Sequence, residues 1–144
     1  MDRQDRGRPE EKVPGTVFVA LAVPIRNGRI LVARRGQGSH LEGLWEFPGG
    51  RIEREEEPAA AARRELLEEA GLAGGEIEPL LVHVFDYPDR RVHLHVYLML
   101  EPQGDVRVDG GREWAWVACG DLASLPMPEA NEPILRALCW RLGG

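Results

Sequence analysis

The sequence predicts an α/β (α+β) fold, a sandwich built on a mixed β-sheet. Three observations carry this. Strand-like apolar runs dominate the chain, and only two long helical patterns occur, far apart in sequence. The run TVFVALAVP, Thr16–Pro24, is almost continuously apolar, as a strand covered on both faces requires.

The elements follow in order. Residues 1–14 mix acids and bases with few apolar side chains and read as a mobile tail; residues 15–144 read as one domain. Asn27-Gly28 signals a tight turn, so Thr16–Pro24 and Arg29–Arg34 form a hairpin. A polar loop, 36–43, precedes a short strand, Leu44–Phe47. Pro58 then opens a helix, alanine-rich from Ala59 to Ala62, with Ala59, Ala62, Leu66 and Ala70 on its apolar face and Gly71 as its stop. Glu76–Tyr87 and Arg91–Leu100 are paired strands joined at Pro88-Asp89-Arg90. Glu113–Val117 is a strand with Trp114 and Trp116 on one face. Pro128–Leu142 closes the chain as an amphipathic helix, with Ile134, Leu135, Leu138 and Leu142 at helical spacing. No internal repeat divides it.

Composition narrows the function. The 144 residues suffice for one sizeable core. A net charge of −6 disfavours a basic nucleic-acid surface, and no apolar run is long enough to span a membrane. Cys119 and Cys139 form no CxxC pair and are expected to be free thiols in a cytoplasmic protein. His93 and His95 alternate along one strand; lacking a third ligand at fitting spacing, they read as solvated histidines rather than a zinc site. Trp114 and Trp116 read as helix-packing side chains, and Trp45 lies beside the presumed site.

The chemistry concentrates in Gly49–Leu72, GGRIEREEEPAAAARRELLEEAGL. Glu65, Glu68 and Glu69 fall within about 100° of one helical face. Three crowded carboxylates repel one another unless a divalent cation sits among them, and hard cations take oxygen ligands. The glycine pair lets the backbone approach a ligand closely, adding a carbonyl or N–H to the site. A solvated charged face is the plain alternative, but such faces intersperse lysines, and none occurs here.

The full spacing is G-x5-E-x7-R-E-U-x-E-E-x-G-U, with U aliphatic, running from Gly50 through Glu56, Arg64-Glu65-Leu66, Glu68-Glu69 and Gly71-Leu72 without departure. It resembles the Nudix box of the nucleoside-diphosphate-linked-X hydrolases. Leu44–Ile52, Phe85–Arg91 and Pro128–Ile134 also resemble the MutT branch, so the likeness runs from about Val17 to Leu138. It implies a Nudix-type α-β-α sandwich and an Mg2+-dependent enzyme, Mn2+ being an alternative. It further implies cleavage of nucleoside triphosphates to monophosphate and pyrophosphate, water attacking the β-phosphorus. The implied substrate is 8-oxo-dGTP, with CTP, a modified dCTP or another nucleotide as alternatives; a non-catalytic nucleotide-sensing module is the rival class. Implied partners are a nucleotide but no stable nucleic acid or membrane, in a monomer or homodimer.

Residue by residue, the likeness implies metal ligation by Glu68, Glu69 and the Gly49 carbonyl, with Glu65 on a metal or the attacking water. Which of the three is the general base varies within the family. Glu56 and Arg64 match a structural ion pair. Arg35 and His40 match a substrate loop, Glu46, Phe47 and Pro48 the nucleotide lining, and Tyr87 a pocket aromatic. Asn131 matches the base-reading asparagine, although Asn also caps helices. An acid outside the box is implied on the metal, with Asp109 preferred over Asp105 and Glu113.

Overall fold

The structure is a computed structural model and describes residues 15–143. The proposed tail, residues 1–14, lies outside them. Seven strands form one sheet: β1 (Thr16–Arg26), β2 (Arg29–Arg34), β3 (Trp45–Glu46), β4 (Gly49–Arg51), β5 (Glu76–Tyr87), β6 (Arg90–Leu100) and β7 (Trp114–Ala118). The helices are α1 (Pro58–Ala70), α2 (Cys119–Leu122) and α3 (Glu132–Arg141).

The β1–β2 hairpin turns at Asn27 (φ 53°) and Gly28 (φ 77°), both left-handed, as a two-residue loop between right-twisted strands requires. β1 also runs parallel to β6, which makes the sheet mixed. The order is β3-β2-β1-β6-β5, with β4 added to β1 and β7 to β2. One face packs Ala20, Ala22, Leu31 and Met99 against Ala61, Ala62, Leu66 and Ala70 of α1. Alanines on both sides bring that helix close to β1. The other face packs Val23, Ile30, Val32 and Leu98 against Leu122, Ile134 and Leu138. The sandwich is therefore helix, sheet, helix, as predicted.

Several local expectations shift. Gly49–Arg51 is a strand, although glycines disfavour one, because β1 supplies its hydrogen bonds. Ala61 replaces Ala59 on the buried face of α1, so Glu65 and Glu69 share the helix's inner side with Leu66 and Ala70. β6 begins one residue early and β7 one residue late. The last helix starts at Glu132 after a 3-10 turn, Glu129–Asn131, and Leu142 is 39% exposed. His93 is buried and His95 half-buried, not solvated, because β1 and β5 flank β6 on either side. The His93 Nε2 has no hydrogen-bond partner, and its ring lies 5.0 Å from Phe18. Burial lowers the His95 pKa, and the His93 charge lowers it further. Trp45 belongs to the core. Cys119 and Cys139 are free thiols with Sγ atoms 3.6 Å apart.

Candidate active site

Alternation along β4 organises the site. Ala22 N–H donates to the Pro48 carbonyl and Ile52 N–H to the Phe18 carbonyl, both at 2.9 Å. In an antiparallel pair such bonds skip alternate residues. Gly49 therefore turns its N–H and C=O away from β1, and its N–H donates to Glu69 Oε1 at 3.3 Å. Gly50 faces α1. A Cβ there would lie 2.7 Å from the Glu65 carboxyl carbon, and one on Gly49 would lie 2.5 Å from the Ala20 carbonyl oxygen. The glycine pair thus makes room for Glu65 on one side and for β1 on the other. Gly50→Ala is expected to fold yet lose most turnover, because the Glu65 carboxylate must move. Thermal melting beside steady-state kinetics checks this, and a fully active variant would refute it.

The three glutamates do not converge equally. Among the described residues no set of three acidic, histidine or cysteine side chains forms a ready-made metal cage. Several of the acids pair instead with Arg64. Its guanidinium pairs with Glu56 at 2.8 Å, Glu65 at 3.1 Å and Glu68 at 3.3 Å. It also donates to the Arg51 carbonyl at 3.0 Å, tying the loop to the helix. The bond to Arg64 lowers the Glu56 pKa and raises that of Arg64. Glu68 remains 58% exposed, while Glu65 is 12% exposed and is hydrogen-bonded to Glu69. Burial, then that Glu65 bond, pushes the Glu69 pKa up to about 9, and the Asp109 charge adds to the rise. A half-buried carboxylate beside a second carboxylate is a site short of positive charge. Open Glu68, half-buried Glu69 and the outward carbonyl of Gly49 are oxygen donors that suit a hard divalent cation.

The substrate-side residues fall into two groups. Arg35 donates to Glu46 at 2.7 Å and to the His40 carbonyl, so its guanidinium is engaged within the protein. Glu46, Phe47, Pro48 and Glu69 line one small cavity, with Phe47 in the core. The His40 side chain is exposed in its loop. Glu113 pairs with Arg34 instead of facing the carboxylates. The second group lines a larger cleft of about 310 Å3 on the α3 face. Val19, Leu21, Phe85 and Leu94 form its apolar wall; Arg51, Tyr87, Arg90 and Asn131 supply its polar groups. Asn131 is only 8% exposed, its backbone is already helical (φ −84°, ψ −7°), and its side chain makes no cap bond. The capping alternative therefore falls away. Strand alternation places Gly50 toward α1 and Arg51 toward the cleft, so β4 divides the acidic end from the cleft.

Sequence reasoning missed Arg51, Arg90 and Arg112. Arg51 and Arg90 lie inside segments already singled out, 44–52 and 85–91, and the Arg90 guanidinium lies 5.7 Å from the Tyr87 ring centre. Arg112 had no local signal: it pairs with Glu46, 66 residues away in sequence, at 2.8 Å.

Comparison with known proteins decides the family: the NUDIX domain matches residues 19–137. The chain is a Nudix protein. It is 32% identical over 121 residues to the CTP pyrophosphohydrolase of Escherichia coli K12, covering 84% of this chain and 90% of that one. It is likewise 32% identical to the 8-oxo-dGTP diphosphatase of the same organism, over 78% of this chain and 87% of that one. Its fold matches the MutT NUDIX hydrolase of Burkholderia pseudomallei with a TM-score of 0.76 at 28% identity, over 85% of this chain and 98% of the other. This Nudix protein is accordingly a MutT-like hydrolase, and its unbroken box sits on the strand, turn and helix described above. Among the described residues no helix is long and apolar enough to cross a membrane.

Proposed function

We propose that this Nudix hydrolase cleaves a nucleoside triphosphate to monophosphate and pyrophosphate, with 8-oxo-dGTP as its preferred substrate and Mg2+ as its cation. Glu68, Glu69 and the Gly49 carbonyl would hold the cation. When bound, it supplies Lewis-acid polarisation of a phosphoryl oxygen and a lowered pKa for an attacking water. The protein's own groups do the rest. One carboxylate of the hydrogen-bonded Glu65–Glu69 pair would accept a proton from the attacking water. Arg64 holds Glu65 and Glu68 in place. Arg51 lines the cleft, on the other face of β4 from Glu65, where a guanidinium can pair with phosphate oxygens.

Base preference rests on Asn131. A buried amide offers two donors and one acceptor, so it can pair with two edge groups of an oxidised purine at once. Tyr87 and Phe85 supply aromatic surface for the base. CTP is the second reading, favoured by the equal 32% identity to the CTP pyrophosphohydrolase. A nucleotide panel with Mg2+, scored by kcat/KM and by the released anion, separates the two. The expected result is pyrophosphate release and a kcat/KM ranking led by 8-oxo-dGTP. A ranking led by CTP would replace the base assignment, and orthophosphate release would overturn the site of cleavage.

A further inference from the structure

Arg112 lies two residues before β7, and its guanidinium spans two carboxylates. Nη1 donates to Glu46 Oε2 at 2.8 Å, Nη2 to Asp109 Oδ1 at 2.9 Å, and Nε to the Asp109 carbonyl at 3.3 Å. The Arg112 side chain is only 19% exposed, whereas that of Asp109 is 57% exposed. The turn held this way, Asp109–Gly111, contains Gly110 at φ 72° and Gly111 at φ 65°. Two consecutive left-handed glycines leave a backbone with little intrinsic preference, so its position depends on what grips it. The turn packs against α1. Arg112 and Glu69 line the same small cavity, with Glu46 and Phe47 between β3 and the helix. A planar guanidinium can bridge two carboxylates in fixed geometry, which an ammonium cannot.

We propose that Arg112 is a positioning residue: it fastens the Asp109 turn to Glu46, holds Asp109 beside the carboxylate end of α1, and thereby sets the protein's affinity for its divalent cation. The inference rests on Glu68 and Glu69 as cation ligands. Asp109 then adds a movable negative charge to that site, and Arg112 determines where the charge stands. Glu46 is the anchor, because Arg35 grips it from the other side at 2.7 Å.

Isothermal titration calorimetry of the intact protein with Mg2+ and Mn2+ tests this without relying on turnover. Arg112→Ala and Arg112→Gln are both used, the second keeping much of the stem and its packing. Each is expected to weaken cation binding by about 5- to 20-fold, as contact-sharing groups do. Asp109→Ala is expected to weaken it similarly, and Arg112→Ala with Asp109→Ala no further than Asp109→Ala alone. Arg112→Lys should recover little. A purely structural arginine would lower the melting temperature and leave cation affinity alone. Unchanged affinity in both Arg112 variants, or additive losses in the double variant, overturns the inference if Glu68→Gln still weakens binding. If Glu68→Gln also leaves affinity unchanged, the cation reading itself has failed, and the role of Arg112 fails with it.

Discussion

Glu68→Gln and Glu69→Gln are each expected to cut cation-dependent turnover by more than about 100-fold. Even partners that only orient a metal ligand cost 10- to 100-fold when removed, and 100-fold corresponds to ~2.7 kcal/mol of lost transition-state stabilisation. An amide keeps the shape of the carboxylate and loses its charge, so the fold should persist. The two variants differ in a second measurement. Glu69 has a pKa of about 9 in the fold against 4.5 in the unfolded chain. Between those values the native state binds the extra proton. Cation-free stability therefore falls as pH rises through this window, by at most ~1.4 kcal/mol per pH unit. Glu69→Gln removes that slope and should stabilise the cation-free protein at alkaline pH while abolishing activity. Glu68 is exposed, so its replacement should leave the slope in place. Denaturant melts between pH 5 and 9, in chelator, read this directly. Full activity in both variants would sink the assignment of these carboxylates to the cation.

Asn131→Ala is expected to reduce discrimination between 8-oxo-dGTP and dGTP by roughly 10- to 100-fold, since leaving buried polar groups unpaired costs ~1–3 kcal/mol. Turnover of dGTP itself should change far less, because the carboxylate end of α1 is untouched. The residue precedes α3 and makes no cap bond, so the helix should survive the substitution. Competition kinetics with both nucleotides measure the ratio. An unchanged ratio would remove Asn131 from base recognition and return the choice of base to Arg90, Tyr87 and the apolar wall.

The reading of α1 shows what local sequence can carry. Pro58, the alanines, Gly71 and the three-and-four spacing of the glutamates determine a helix with carboxylates along one side, because all these signals act within a few residues. The family likeness supplied the cation and the reaction. What it could not convey was how far each carboxylate is buried. Glu69 lies beside Leu66 toward the inner side of the helix, and β4 and the Asp109 turn contribute to its environment. Arg64 bridges Glu65 and Glu68 of the expected triad, and Glu65 in turn bonds Glu69.

The loop residues show the opposite limit. The resemblance marked Arg35 and Glu46 as substrate-side residues, but it did not convey their mutual pairing. The burial of His93 followed from strand order, which no periodicity in β6 announces. The sequence alone determined the sandwich, the α1 helix with its carboxylates and a glycine pair for close backbone approach, since these follow from short-range propensity and fixed spacing; that Gly50 admits Glu65 comes from the packing of β4 on α1. Only the tertiary structure decided that Asn131 lines a cleft with Tyr87 and Arg51, and that Arg112 joins Asp109 to Glu46. Those arrangements depend on which strands become neighbours, a property set by burial across the whole sheet.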